Sequence, residues 1–277
     1  NEPLCSNDSQ QEVESALRTD SGVLVVFTDL RSGSSDLYGQ MIGFDGSILS
    51  TSEGFLISDS PNDQRNSSSV LFDSDTALIC WEDFQNGNDY DISCNDLNLT
   101  NQSLGVEYFL SSASGNQKDP FLYSNGNGTV LSVWEDSRAG LNYDIYYQEI
   151  SNGSFVHDDN GIAVCQAEFS QLDPGIVGLS ESENSFLLFW DDMRSSGKTD
   201  LHNVYMQSVT TSGSCFANGD VNFDSTTNIL DIVSVVQYVL SNISYNDAQI
   251  CACDMNSDDT INILDIVAIV QYVLGNG

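Results

Sequence analysis

The sequence predicts a mainly β chain, with a four-bladed β-propeller over residues 1–214 and a small α-helical module over residues 215–277. Two kinds of repeat predict this division. A degenerate repeat of roughly 50 residues runs through the first part, and a near-identical repeat offset by 34 residues fills the second. A chain of 277 residues is long enough for two domains.

Each repeat of the first part contains an apolar segment that leads into an aspartate. The four aspartates are spaced 54, 53 and 56 residues apart, and all three tryptophans of the chain lie two residues before one of them. The tryptophans are therefore expected in the blade cores. The segments are VLVVFTDLRSG (23–33), ALICWEDFQNG (77–87), VLSVWEDSRAG (130–140) and FLLFWDDMRSS (186–196).

A polar turn and a second strand follow each of these segments. The second strands are DLYGQ (36–40), DISCN (91–95), DIYYQ (144–148) and NVYMQ (203–207). Alternating apolar residues on both sides of a polar turn predict a β-hairpin. We expect an outer strand before each hairpin and another after three of them, in EGFLIS (53–58), VEYFLSS (106–112) and GIAVC (161–165). About four short strands per repeat is typical of propeller blades.

The fourth repeat has no strand after its hairpin, and the N-terminal segment is a candidate to supply one. Residues 1–11 align with the segment that ends at Gln171, so that Cys5 matches Cys165 and Gln11 matches Gln171. The segment either completes the last blade of its own chain or is donated to a neighbouring molecule. These blades resemble the W-x-D-x-R-x-G…D-I-Y-x-Q repeats of secreted bacterial propeller proteins, which indicate a fold and not an activity.

The second part of the chain contains two calcium-type loops, each followed by the same helix. Residues 228–240 (NILDIVSVVQYVL) and 262–274 (NILDIVAIVQYVL) match at 11 of 13 positions. Oxygen-bearing side chains stand at positions 1, 3, 5, 9 and 12 of a 12-residue loop, and position 7 adds a carbonyl. The predicted ligands of two Ca²⁺ ions are Asp220, Asn222, Asp224, Thr226, Asn228 and Asp231, and Asp254, Asn256, Asp258, Thr260, Asn262 and Asp265.

Two features depart from the usual loop. Position 6, commonly glycine, is Ser225 or Asp259, and position 12 is Asp where Glu is usual. Over residues 219–275 the two repeats nevertheless resemble a type I dockerin. The resemblance implies two calcium ions, two-fold pseudo-symmetry and docking to a partner domain, which is a cohesin in cellulosomes.

The two helices predict docking by themselves. Positions 10 and 11 of the loops, often hydroxyl residues that contact cohesin in dockerins, are Ile229–Leu230 and Ile263–Leu264 here. From 229 to 240 only three residues are neither apolar nor aromatic. A module of about 60 residues has too little core to bury two such helices completely. We expect them to pack on the N-terminal domain or on a neighbouring molecule.

The composition excludes several partners. A net charge of −34 with seven Lys+Arg provides no basic patch for nucleic acid or anionic membranes, and no apolar run reaches the length of a membrane span. The chain begins at Asn1 without a signal peptide, so we expect a processed product. Seven cysteines and seven Asn-x-Ser/Thr sequons (Asn7, Asn66, Asn98, Asn101, Asn127, Asn152, Asn242) fit a secreted glycoprotein.

Cys80 and Cys94 are expected to face each other within the second hairpin and to form a disulfide. Cys5, Cys165 and Cys215 lie near the predicted closure, and Cys251 and Cys253 lie between the calcium repeats. The pairing among these five is left open, and the odd total leaves one thiol free or bridging two molecules.

The repeated Asp and Arg residues are the obvious candidates for chemistry: Asp29/Arg31, Asp136/Arg138 and Asp192/Arg194. They could form a polar binding ring on one face, or they could brace the hairpin turns, with the arginine reaching Asp36 or Asp144. Repetition in three blades favours the brace, because a catalytic pair is normally unique. The sequence assigns no catalytic residue and contains no pattern for a Ser-His-Asp arrangement.

Two functions follow from these observations. The first is an extracellular, calcium-binding structural or adhesive protein that assembles, through its helical module or its N-terminal strand, into a cell-surface layer, fibre or complex. The alternative is a glycan-binding or carbohydrate-active propeller that a dockerin attaches to a scaffold.

Overall fold

The computed structural model describes residues 3–126, 128–151, 153–180, 185–194, 202–210, 219, 221, 227–240, 243, 245, 247–256 and 260–275. The chain divides into two compact units, residues 1–211 and 212–277, which we call the sheet unit and the helical unit. Among the described residues, no helix is long and apolar enough to cross a membrane.

The sheet unit contains four antiparallel sheets built from consecutive strands. The first sheet contains β1 (Gln11–Arg18), β2 (Gly22–Asp29), β3 (Asp36–Gly43) and β4 (Phe55–Ser58). The second contains β5 (Gln64–Leu71), β6 (Thr76–Asp83), β7 (Asp91–Asn98), β8 (Ser103–Leu104) and β9 (Tyr108–Ser111). The third contains β10 (Gln117–Ser124), β11 (Thr129–Asp136), β12 (Asp144–Ser151), β13 (Ser154–Phe155) and β14 (Ile162–Cys165). The fourth contains β15 (Gln171–Ser180), β16 (Ser185–Asp192) and β17 (Asn203–Thr210).

The central hairpin of every sheet is the predicted one. Its two strands pair without a bulge from the turn outward, as in the first sheet, where Asp29 lies opposite Asp36, and the third, where Asp136 lies opposite Asp144. The strands predicted after three of the hairpins are β4, β9 and β14. Local alternation and turn chemistry were sufficient to place these strands.

We expected the strand before each hairpin on the outside of the array, but it lies on the inside. The reason is that β1, β5, β10 and β15 pack against one another in that order. Each of these strands contains a register shift. In the last three, Asn66, Asp119 and Asp173 have φ values of 50°, 51° and 51°, in the left-handed region that Asn and Asp tolerate.

Neighbouring sheets pack face to face through three apolar cores. Trp81 lies in the core between the first and second sheets, Trp134 between the second and third, and Trp190 between the third and fourth. All three indole rings are buried, as the repeat position predicted. Truncating a buried tryptophan typically costs about 3–5 kcal/mol, so each ring is a major contributor to its core.

The N-terminal segment does not close the array. In the part of the chain that the structure describes, the fourth sheet has three strands and the four sheets form no ring. Cys5 is buried against the first sheet, where the backbone N–H of Ser6 donates to the carbonyl oxygen of Ser52. Over the described residues, the N-terminal segment therefore does not join the fourth sheet to close a ring. The count of four propeller blades stays a prediction.

The predicted disulfide is present. Cys80 and Cys94 lie opposite each other on β6 and β7, are fully buried, and are bonded. Cys5, Cys165 and Cys253 are free thiols. Cys215 lies outside the described residues.

The helical unit contains α1 (Ile229–Val239), α2 (Asp247–Cys253) and α3 (Ile263–Gly275). One side of each long helix faces a small core that includes Val235, Ala252 and Ile269. Val221, which precedes α1, belongs to the same core. The rings of Tyr238 and Tyr245 stack at a centroid distance of 4.5 Å.

Candidate calcium-binding and docking site

The first calcium-type loop ends in a capped helix. Asn228 is the N-cap of α1 and accepts a hydrogen bond from the backbone N–H of Leu230 at 2.8 Å. Asp231 accepts from the N–H of Asn228 at 2.9 Å with Oδ2 and from the N–H of Val221 at 3.0 Å with Oδ1. The buried Asp231 carboxylate therefore joins the beginning of the loop to the first turn of the helix.

The second loop repeats this geometry at α3. Asn262 accepts from the N–H of Leu264 at 2.9 Å, and its own N–H donates to Asp265 Oδ2 at 2.9 Å. The side-chain amide of Asn262 donates to the carbonyl oxygen of Thr260 at 2.9 Å. Hydrogen bonds thus join the residues at positions 7, 9 and 12 of the loop.

Asp265 gives the strongest indication that this loop suits a cation. Its side chain is fully buried, and its Oδ1 atom has no hydrogen-bond partner among the described residues. A buried carboxylate oxygen without a partner is strongly unfavourable unless a positive charge compensates it. The donor set consists of carboxylate and carbonyl oxygens, which suits Ca²⁺.

The remaining predicted ligands are only partly described. Asp254 is buried, whereas Asn256 and Thr260 are exposed. Asp220, Asn222, Asp224, Thr226 and Asp258 lie outside the described residues, as do Ser225 and Asp259. Over the described ranges alone, no group of three or more His, Cys, Asp or Glu side chains gathers into a metal-binding cluster.

Both long helices present the same apolar face to solvent. Ile229 and Ile263 are each 63% exposed, and the exposures of Leu230 and Leu264 are 61% and 59%. One turn on, Val233 and Val267 are 48% and 46% exposed, and the face ends at Leu240 and Leu274 with 65% and 75%. Two equivalent apolar faces of this kind are typical of a protein-docking surface.

The repeated Asp and Arg residues brace the hairpins. In each of the three pairs, the aspartate is fully buried, accepts the N–H of the arginine two residues later at 2.8 Å, and forms an ion pair with its guanidinium. The arginine therefore pairs with the aspartate of its own turn, and the predicted bridge to Asp36 or Asp144 is wrong. Burial alone would raise the pKa of Asp29, but hydrogen bonds from Arg31 and Ser9 hold that pKa at about 2.

The same arginines also stack on tyrosines of the facing strand. The guanidinium carbon of Arg138 lies 3.9 Å from the ring centroid of Tyr146, and that of Arg194 lies 4.2 Å from the centroid of Tyr205. Each guanidinium group therefore pairs with an aspartate and has one face covered by a tyrosine ring within the fold. These contacts make the Asp and Arg residues a structural support of the hairpins.

Sequence reasoning missed two glutamates, on β6 and β11, that bond to the inner strand of the next sheet. Glu82 Oε1 accepts from the backbone N–H of Asp119 at 3.0 Å, and Glu135 Oε1 accepts from that of Asp173 at 2.8 Å. Each glutamate therefore connects its sheet to the bulge of the next. Burial and the carboxylates of Asp119 and Asp173 raise the pKa of Glu135 to about 7. The available signal was the Trp-Glu-Asp tripeptide at residues 81–83 and 134–136.

Comparison with known protein families gives a match in the helical unit. The family described as the dockerin type I domain matches residues 218–274. No curated protein matches the chain.

Several solved structures are similar to the chain at low identity. One is an endo-arabinase from Bacteroides thetaiotaomicron, with 13% identity, a TM-score of 0.44, and coverage of 77% of this chain and 79% of that one. Another is a thermostable family-43 glycoside hydrolase, with 10% identity, a TM-score of 0.45, and coverage of 76% and 70%. A third is the catalytic domain of a Coprinopsis cinerea GH62 α-L-arabinofuranosidase, with 10% identity, a TM-score of 0.45, and coverage of 76% and 70%. TM-scores below 0.5 assign neither a blade count nor an activity to this chain.

Proposed function

We propose that the helical unit is a calcium-dependent docking module that attaches a propeller-like sheet unit to a scaffold protein outside the cell. The observation that carries this proposal is the pair of equivalent apolar faces that α1 and α3 expose. The dockerin match over residues 218–274 supports it. Attachment to a scaffold agrees better with the alternative function derived from the sequence than with a layer or fibre subunit.

The proposed calcium sites are the two loops. Each would hold one ion through its own six predicted ligands, with Asp231 and Asp265 closing the loops from the helices. When bound, Ca²⁺ supplies positive charge to a cluster of carboxylates that otherwise repel one another. The buried Asp265 Oδ1 atom supports this arrangement for the second loop.

The proposed partner is a cohesin-type domain with an apolar binding surface. Hydroxyl residues at positions 10 and 11 would make hydrogen bonds, but Ile229, Leu230, Ile263 and Leu264 have no polar group to offer. The contact therefore depends on buried apolar area, for which roughly 25 cal/mol per Å² is the usual magnitude. A charged residue in the centre of either face should oppose docking.

The test is binding to a panel of cohesin domains by isothermal titration calorimetry, with calcium and after chelation. Leu230→Asp and Leu264→Asp should each remove one face, and the double variant should abolish binding. Val106→Asp and Leu141→Asp are matched controls, because these residues of the sheet unit are 86% and 100% exposed. Binding that survives chelation and the double variant would overturn the proposal.

A second candidate function for the sheet unit is glycan binding or hydrolysis. The specific observation is Glu135, whose pKa of about 7 leaves it able to donate a proton near neutral pH beside the exposed Asp119 and Asp173. Release of reducing sugar from soluble polysaccharides, compared between the chain and its Glu135→Gln variant, tests hydrolysis. Affinity electrophoresis in the same polysaccharides tests binding, and no effect in either assay would reject this candidate.

A further inference from the structure

The fourth sheet leaves exposed a face that the other sheets bury. In the first three sheets, the hairpin residues facing the next sheet are at most 8% exposed: Leu24, Val26 and Leu37; Leu78, Cys80, Ile92 and Cys94; Leu131, Val133, Ile145 and Tyr147. These residues build the three cores between neighbouring sheets. Each face is covered because another sheet follows it.

The equivalent positions of the fourth sheet are equally apolar. They are Leu187, Phe189, Val204 and Met206, and Val177 of β15 lies opposite Leu187 on the same side. We call these five residues the end face. Val204 is 75% exposed, Met206 is 70% and Phe189 is 38%. A face built to the pattern of a buried sheet interface is thus open to solvent.

The first sheet has the complementary face. In the second sheet, the residues that pack against the preceding sheet include the buried Ala77, Ile79 and Trp81. The repeat places Val23, Val25 and Phe27 at the same positions of β2. Phe27 is 1% exposed, whereas Val23 and Val25 are only half-buried, so the two valines are the open part of this face.

The N-terminal segment indicates the same partner. In the third sheet, β14 pairs with β12 and ends at Cys165, whose sulfur accepts from Arg194 Nη2 of the following sheet at 2.8 Å. Cys5 occupies the equivalent place, since Arg31 Nη2 of the first sheet lies 3.5 Å from its sulfur. By this equivalence, a strand that ends at Cys5 would pair with the third strand of a preceding sheet.

We propose that the end face docks on the first sheet of a second copy of this chain, whose N-terminal segment pairs with the edge of β17 that no described strand occupies. A second copy is the occupant because, over the described ranges, the chain's own first sheet leaves the end face exposed and the four sheets form no ring. The two surfaces differ, so the contact is head to tail and can extend into a chain of molecules. This interface is independent of the docking module.

Sedimentation velocity of the purified chain over a wide concentration range tests this proposal. The chain should form dimers and larger species, and Val204→Asp with Met206→Asp should weaken association by about a hundredfold or more, because an unpaired carboxylate is costly to desolvate. Both residues are largely exposed, so the double variant should fold. Val106→Asp with Leu141→Asp, the matched control, should leave association unchanged.

Leu230→Asp with Leu264→Asp separates the two surfaces and should also leave association unchanged. If that variant abolishes association, the helices cause it and the proposal is overturned. A chain that stays monomeric at every concentration also overturns it. Strong protection of β17 amides from hydrogen exchange in that monomer would show that the end face is covered by the chain's own first sheet.

Discussion

Replacing Asp265 by Asn tests whether its buried carboxylate serves a cation. Asp265 Oδ2 accepts the N–H of Asn262 at 2.9 Å, and Oδ1 has no partner in the described part of the chain although the side chain is fully buried. Asparagine has the same size and keeps one oxygen for the helix cap. The variant therefore removes the charge and leaves the cap intact.

The expected effect depends on calcium. Without calcium, the variant should be as stable as the natural chain or more stable, since it no longer buries an unpaired carboxylate oxygen. With calcium at about 1,000 times its Kd, binding stabilises the natural helical unit by ~4.1 kcal/mol. If loss of one charged ligand weakens binding about a hundredfold, ~2.7 kcal/mol of that stabilisation disappears. For a unit of this size, the melting temperature falls by roughly 10–20 °C.

Thermal unfolding followed by far-UV circular dichroism, at several calcium concentrations and after chelation, measures this effect. The helices give the helical unit a signal distinct from that of the sheets. Asp265→Ala is the comparison variant, because it removes the cap as well as the charge and should lose about 1 kcal/mol more than Asp265→Asn both with and without calcium. An equal calcium response in Asp265→Asn and the natural chain would refute the assignment of Asp265 as a ligand.

Three further predictions concern the sheet unit. Cys80→Ala with Cys94→Ala should lower its free energy of unfolding by about 3 kcal/mol, since the bond closes a separation of 14 residues; equal urea midpoints under oxidising conditions would contradict this. Arg31→Leu should cost about 3 kcal/mol at neutral pH by leaving buried Asp29 unpaired. The folded pKa of Asp29 is about 2 against an ordinary 3.8, so its pairing with Arg31 stabilises the fold above pH 4 and this stabilisation is lost towards pH 2. The difference in free energy of unfolding between Arg31→Leu and the natural chain should therefore become smaller near pH 2. A difference in urea denaturation that does not change with pH argues against this pairing. The folded pKa of Glu135, about 7, exceeds the ordinary 4.5, so the natural chain loses stability as the pH rises through this interval. Glu135→Gln should therefore be more stable than the natural chain at pH 8 but not at pH 4. Urea midpoints that are identical for the two chains at both pH values count against the raised pKa.

Several features of the fold were predictable because their causes are local. The hairpins follow from alternating apolar residues around polar turns, and the tryptophans follow from their repeat position. The disulfide followed from the register of a single hairpin, in which Cys80 lies opposite Cys94. The helix caps at Asn228 and Asn262 arise within three residues of chain.

Features that depend on neighbouring sheets were predicted less well. The strand before each hairpin could be placed inside or outside only from its contacts with other sheets. The partner of Arg138 was wrongly expected to be Asp144, because Asp136 and Asp144 lie opposite each other at the end of the same hairpin. The links from Glu82 to Asp119 and from Glu135 to Asp173 join residues 37 and 38 positions apart, a distance at which sequence pattern carries little information.

The sequence by itself determined the repeats, the hairpins and the loop–helix pairs, since these depend on residue order within about 20 positions. It also placed apolar residues at Ile229, Leu230, Ile263 and Leu264. Only the tertiary structure decided which apolar residues are covered. The equivalent positions are buried in the first three sheets and exposed at Val204 and Met206 in the fourth, because burial depends on whether another sheet follows in space.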